Sequence, residues 1–190
     1  MAGPGGPAQA SASQPAVELA FPLDTERRAR NFDRLARQYG PADQGLGSVA
    51  HTVRAALATA DPVSPYFARY QLSSADLGDV LALAYYAFVT LADGGRTDDP
   101  TQAQIDGLRR QIASASSSFA AVPPAERQDF ADTLLFSMLI QQAVAQGLAG
   151  SPALDQFVAE FTRSNSQLLG FDVSAVRIAP DGQFESRSGP

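Results

Sequence analysis

Residues 76–92 read DLGDVLALAYYAFVTLA, a segment that is apolar nearly all the way round a helix. Leu77, Val80, Leu81, Leu83, Tyr85, Phe88, Val89 and Leu91 leave it no broad polar face. A helix of that kind is stable only where other elements cover it on every side, which places it at the centre of a fold. Its longest apolar run, Val80–Ala92, has thirteen residues, short of the roughly 20 that a membrane-spanning helix needs. The cover must therefore be protein. Ser73 followed by Asp76 makes a capping-box-like start, and Asp93-Gly94-Gly95 supplies a stop. The stretch Leu134–Ile140, in a helix opened by Pro123-Pro124, is again apolar all round, so two central helices are predicted.

The flanking segments have the one-sided pattern of helices that supply such cover. A first helix over Asp24–Tyr39 collects Ala29, Phe32, Leu35, Ala36 and Tyr39 on one face, and Gly40-Pro41 ends it. A second, Gly45–Thr59, is expected to bury Leu46, Val49, Ala50, Val53 and Leu57, after which Asp61-Pro62 and Ser64-Pro65 break the chain. Asp99-Pro100-Thr101-Gln102 reads as a further start, with Asp99 as the cap and Pro100 at the first position. That helix buries Ile105, Leu108, Ile112 and Ala115. Ser151-Pro152 opens the last helix, with Leu154, Phe157, Val158 and Phe161 inward and Gly170 as its stop.

The period then changes. Val173, Val176, Ile178 and Phe184 around Pro180-Asp181-Gly182 predict two short strands, or one strand laid on the bundle. Residues 1–16 are Gly, Pro, Ala, Ser and Gln with almost nothing to bury and are expected to be disordered; residues 185–190 are expected to fray. The fold expected is thus mostly α, a single-domain bundle of five or six helices over residues 17–184 with a small C-terminal β element.

Composition narrows the chemistry. The chain has no Cys and one His, and all fourteen basic residues are Arg. Cysteine-based metal sites, thiolate nucleophiles and disulfides are excluded, as are lysine Schiff bases and a multi-histidine metal site. A net charge of −6 argues against nucleic acid as a partner. No cofactor and no metal are expected. The ADGGRTDDP loop holds Asp93, Asp98 and Asp99, yet its spacing departs from a calcium loop and Arg96 sits in its middle.

Two clusters are candidate sites. Arg27, Arg30, Arg34 and Arg37 form a stripe on the first helix that suits an acidic partner. The bland alternative is a solvated face laced by Asp24–Arg28, Glu26–Arg30 and Asp33–Arg37 pairs, all with the acid first. Arg28 lies on the apolar side and needs a specific partner. On the central helix Asp79, Tyr86, Thr90 and Asp93 make the one polar strip. Asp79 and Tyr86 can serve as acid and base, or grip a ligand; the bland alternative pairs Asp79 with Arg28 or Arg69. Acids opening the fifth helix, among them Glu126, Asp129 and Asp132, are accounted for by the helix dipole. Gln141, Gln142 and Gln146 are suited to bonds between helices, and His51 is expected at the surface.

Tyr70-Gln71-Leu72 with Asp76 and Asp79, then Gln104 with Leu108-Arg109-Arg110-Gln111, Arg127-Gln128, and Gly170-Phe171-Asp172 ahead of Asp181-Gly182 together form a longer pattern. Over about Phe21–Phe184 it resembles a family of usually exported bacterial helical domains of unknown function. The resemblance implies export and a helical body with a small C-terminal strand, and it assigns no catalytic residue. The function expected is a non-enzymatic binding or protein-interaction domain of the bacterial periplasm or exterior, with another protein as partner. The alternatives are a carboxylate-dependent hydrolase or lyase using Asp79 and Tyr86, and a structural helical homodimer.

Overall fold

The structure is a computed structural model that describes residues 19–41, 43–59, 63–115, 119 and 121–187. The expected disorder of residues 1–16 lies outside the described residues. Among the described residues there are seven α-helices: α1 Thr25–Gln38, α2 Gly45–Thr59, α3 Val63–Arg69, α4 Leu77–Ala92, α5 Gln102–Ala115, α6 Pro124–Gly147 and α7 Ala153–Leu169. A 3-10 turn at Val173–Ala175 leads into strands β1 Val176–Ile178 and β2 Phe184–Ser186. The bundle is mostly helical as expected, with seven helices among the described residues in place of the five or six predicted. The addition is α3. Pro65 falls in its first turn, where a missing N–H breaks no helical bond, so the Ser64-Pro65 step starts a helix instead of ending one.

Both all-apolar segments are central. Leu77, Val80, Leu81, Ala82, Leu83, Ala84, Phe88, Val89 and Leu91 of α4 are buried, as are Leu134, Leu135, Phe136 and Ile140 of α6. Their interface joins two apolar clusters. One gathers α4 with Val63, Phe67, Ile105, Leu108, Leu134 and Leu135. In the other, Phe32 stacks on Phe136 at 5.6 Å between centroids, beside Leu35, Ala50, Ile140, Phe157 and Phe161. Two predicted core positions are corrected: Leu46 and Ala115 are exposed, each close to an end of its helix. Tyr85 is half-buried, because it faces the C-terminal hairpin across Phe171 and Phe184, with the three rings 5.6–5.8 Å apart.

The tail resolves into two short strands, an antiparallel hairpin in which Val176 pairs Ser186 and Ile178 pairs Phe184. Its turn sits directly on α5, where a Cβ on Gly107 would overlap the Asp181 carbonyl. Gln111 fastens it by donating to Gly182 O at 2.6 Å and accepting from Phe184 N–H at 3.2 Å. The predicted fraying of residues 185–190 is corrected for its first part. Glu185 and Ser186 are in β2, and Arg187 donates to Val176 O at 2.8 Å and pairs with Asp93 at 3.1 Å. At the other end, Leu19 O accepts from Leu77 N–H at 3.2 Å, and Phe21 N–H donates to Ala75 O at 2.9 Å.

Candidate functional site

The polar strip of α4 divides into two parts. Asp79 is buried and its carboxylate is fully engaged, accepting from Ser73 N–H at 2.8 Å and from Arg109 Nε at 2.8 Å. Its partner is Arg109 of α5, in place of the expected Arg28 or Arg69. Burial pushes the Asp79 carboxyl above the usual carboxylate range, against the pull of the Ser73 N–H and Arg109. Asp93 caps the C-terminus of α4 and pairs with Arg96 and Arg187. Tyr86 and Thr90, between these two, face a cavity that neither aspartate lines.

That cavity, about 190 Å³, lies between α3, α4 and α6 and the loop before α5. Phe67, Leu83, Leu91, Leu135, Met138 and Leu139 make it apolar. The exposed side is formed by Tyr66, Gln142 and the loop Arg96–Asp99. Asp99 is the hub of this mouth. Its Oδ2 accepts from Arg69 at 2.6 Å, its Oδ1 accepts from the Tyr66 hydroxyl at 3.4 Å, and its backbone carbonyl accepts from the Tyr86 hydroxyl at 3.2 Å. Asp98 accepts from Arg96 Nε at 2.7 Å. Burial, reinforced by nearby Tyr70 and Asp99, raises the Tyr66 phenol well above its ordinary value, and burial raises Tyr86. Both phenols therefore remain protonated hydrogen-bond donors at neutral pH. Beneath them the Tyr70 hydroxyl is buried with no hydrogen-bond partner among the described residues, its ring edge-on to Tyr66 at 5.4 Å.

Asp99 was missed because the sequence offers it as a helix cap. The cap is Thr101 instead: Gln104 N–H donates to Thr101 Oγ1 at 3.2 Å, and Thr101 N–H donates to Gln104 Oε1 at 2.9 Å. This is the reciprocal Thr-x-x-Gln box, and it starts α5 at Gln102. The Thr101-x-x-Gln104 spacing was the available signal, and reading it releases Asp99 for the cavity mouth.

The arginine stripe is placed elsewhere and is largely engaged. Arg27 grips Asp129 through Nε and Nη2, both at 2.6 Å, and holds that carboxyl below the usual range. Arg30 pairs with Glu26 at 3.6 Å, and Arg34 donates to Asn31 Oδ1 at 3.3 Å. These three line an open groove with Glu126, while Arg37 is exposed and lies outside it. Two of the expected pairs on α1 are replaced. Asp24 caps the helix by accepting from Arg27 N–H at 2.9 Å, so Arg28 takes Asp132 at 2.6 Å. Asp33 pairs with Arg54 of α2 in place of Arg37. The dipole account of the α6 acids is corrected accordingly, since Asp129 and Asp132 reach across to α1. Gln141 does bond between helices, exchanging hydrogen bonds with Asn165 of α7 at 2.8 and 2.9 Å.

The mouth offers protonated phenols and arginine-paired carboxylates above an apolar interior, which is the composition of a ligand pocket. No protein-family model matches the chain, and neither curated proteins nor solved structures give a match. Among the described residues, no helix is long and apolar enough to cross a membrane.

Proposed function

We propose that the chain is a non-enzymatic binding domain that holds a small, largely apolar molecule in the cavity beneath Tyr66, Tyr86 and Asp99. The observation that carries this reading is the cavity itself, about 190 Å³ of largely apolar space whose mouth is lined by Tyr66, Tyr86 and Asp99. Protein interiors fill voids of that size unless something occupies them, and about 150 Å³ is enough for a benzene ring. Its dimensions favour a small molecule over the protein partner expected from the sequence. Engagement of Asp79 by Arg109 and Ser73, away from the cavity, weighs against an enzyme built on Asp79 and Tyr86. Residence in the bacterial periplasm or exterior rests on the sequence resemblance.

The chain has two methionines, and Met138 lines the cavity. Methyl-13C methionine labelling therefore gives an NMR reporter inside the site. Titration with phenol is expected to move the Met138 resonance saturably. Ala87→Phe, which fills the cavity from α4, is expected to abolish the shift while the chain stays folded. A Met138 signal indifferent to phenol in the unmodified protein refutes the reading.

A further inference from the structure

A second cavity, about 220 Å³, lies between α1, α2, α3 and α6. Leu23, Ala29, Phe32, Leu57 and Ala58 give it an apolar lining, with Arg28, Asp33 and Arg54 at its edge. Val63 and Leu135 line both this cavity and the one under Tyr86. The two spaces are therefore back to back, and a pair of aliphatic side chains is their common wall. Val63 is the first residue of α3, at the end of a short helix, where a side chain can move without disturbing the hydrogen-bonded interior of an element.

Resting on the reading of the first cavity as a ligand site, we propose that the two cavities form one elongated site for an unbranched alkyl chain with a neutral hydroxyl head. Each space alone is below the roughly 300 Å³ at which ordinary ligand pockets begin, whereas joined they exceed it. A linear chain is the shape that passes a constriction of two side chains; a fused ring system is not. The head group follows from the mouth. Asp99 and Asp98 are each paired with an arginine, Arg69 and Arg96, so neither a cation nor an anion finds an uncompensated counter-charge there. Asp98 takes both of its Arg96 bonds on Oδ2, and Asp99 Oδ1 is open to a further donor, its partner being the Tyr66 hydroxyl at a long 3.4 Å. A ligand hydroxyl donating to that oxygen shortens no existing bond and displaces no ion pair.

The test is a series of primary alcohols, 1-butanol to 1-octanol, titrated against the full chain and read at the Met138 methyl and by calorimetry. Affinity is expected to rise about fourfold per added methylene, the increment for burying one CH₂. Ala58→Phe, which fills the far cavity, is expected to flatten the series beyond 1-butanol while leaving 1-butanol unchanged. Ala29→Phe, on the opposite wall, is the second variant should the first fail to fold. A native series that levels off at 1-butanol overturns the joined site and leaves the single cavity standing. A rise that persists equally in the filled variants also overturns it. No alcohol binding at all overturns the joined site, while the phenol titration decides the single-cavity reading by itself.

Discussion

Asp132 has no exposed side-chain surface, and both of its oxygens are bonded to α1: Oδ1 accepts from Arg28 Nε at 2.6 Å and Oδ2 accepts from Asn31 at 2.9 Å. Arg28 also donates to Ser74, so the cluster ties α1 to α6 and to the approach to α4. Asp132→Ala leaves a nearly buried guanidinium without its counter-charge and is expected to cost about 3–5 kcal/mol. Arg28→Met combined with Asp132→Leu removes both charges and is expected to cost less than Asp132→Ala alone. Urea unfolding of the two variants checks the order; a milder single variant contradicts the assignment. The need for this partner was legible, since helical spacing alone puts Arg28 on the apolar side of α1. The partner's identity was not, because it lies 104 residues away and only the packing of α1 on α6 brings it near. Local pairing failed at Asp24 for a physical reason. An N-cap carboxylate that accepts from the Arg27 N–H is no longer turned toward an arginine one turn ahead.

At the scale of elements, periodicity located the long helices well, since a face that must be buried repeats along the sequence. It served less well where an element is short or where a start has two plausible caps, as α3 and α5 show. The candidate site depends on both. Tyr66 and Phe67 belong to the helix that sequence reading left as a break, and Asp99 was assigned to a cap that Thr101 provides. Of the polar strip read on the central helix, Tyr86 and Thr90 line that site's cavity, whereas Asp79 and Asp93 do not. The docking of the hairpin on α5 was hidden for another reason: Gly107 looks like a weak point in a helix, while its value is the space it leaves. Gly107→Ala drives a methyl into the Asp181 carbonyl and is expected to cost about 1–3 kcal/mol despite the better helix propensity of alanine. Thermal melts report the loss, and backbone NMR shifts confined to residues around 176–186 and α5 identify its source. A stabilised Gly107→Ala protein contradicts the described contact.

For the molecule as a whole, the question is whether two clusters make two folding units. Phe88 lies in one and Phe136 in the other, both fully buried, and α4 and α6 run through the pair of them. A single cooperative transition is therefore expected, since neither cluster can lose its walls without uncovering the other. Phe88→Ala and Phe136→Ala should each lower that one transition by about 3–5 kcal/mol. Resolved transitions for the two halves, seen in calorimetry of either variant, would show that the clusters unfold separately.

The central helix is clasped from both extremities of the described chain. Leu19 and Phe21 bond around its N-terminal end, and Arg187 reaches the Asp93 cap at its C-terminal end. During synthesis α4 leaves the ribosome long before residues 176–187 do, so the Tyr85 side of it waits for a clasp that is translated about eighty residues later. A ribosome stalled before the hairpin therefore holds a nascent protein with Tyr85 uncovered, a natural target for chaperones.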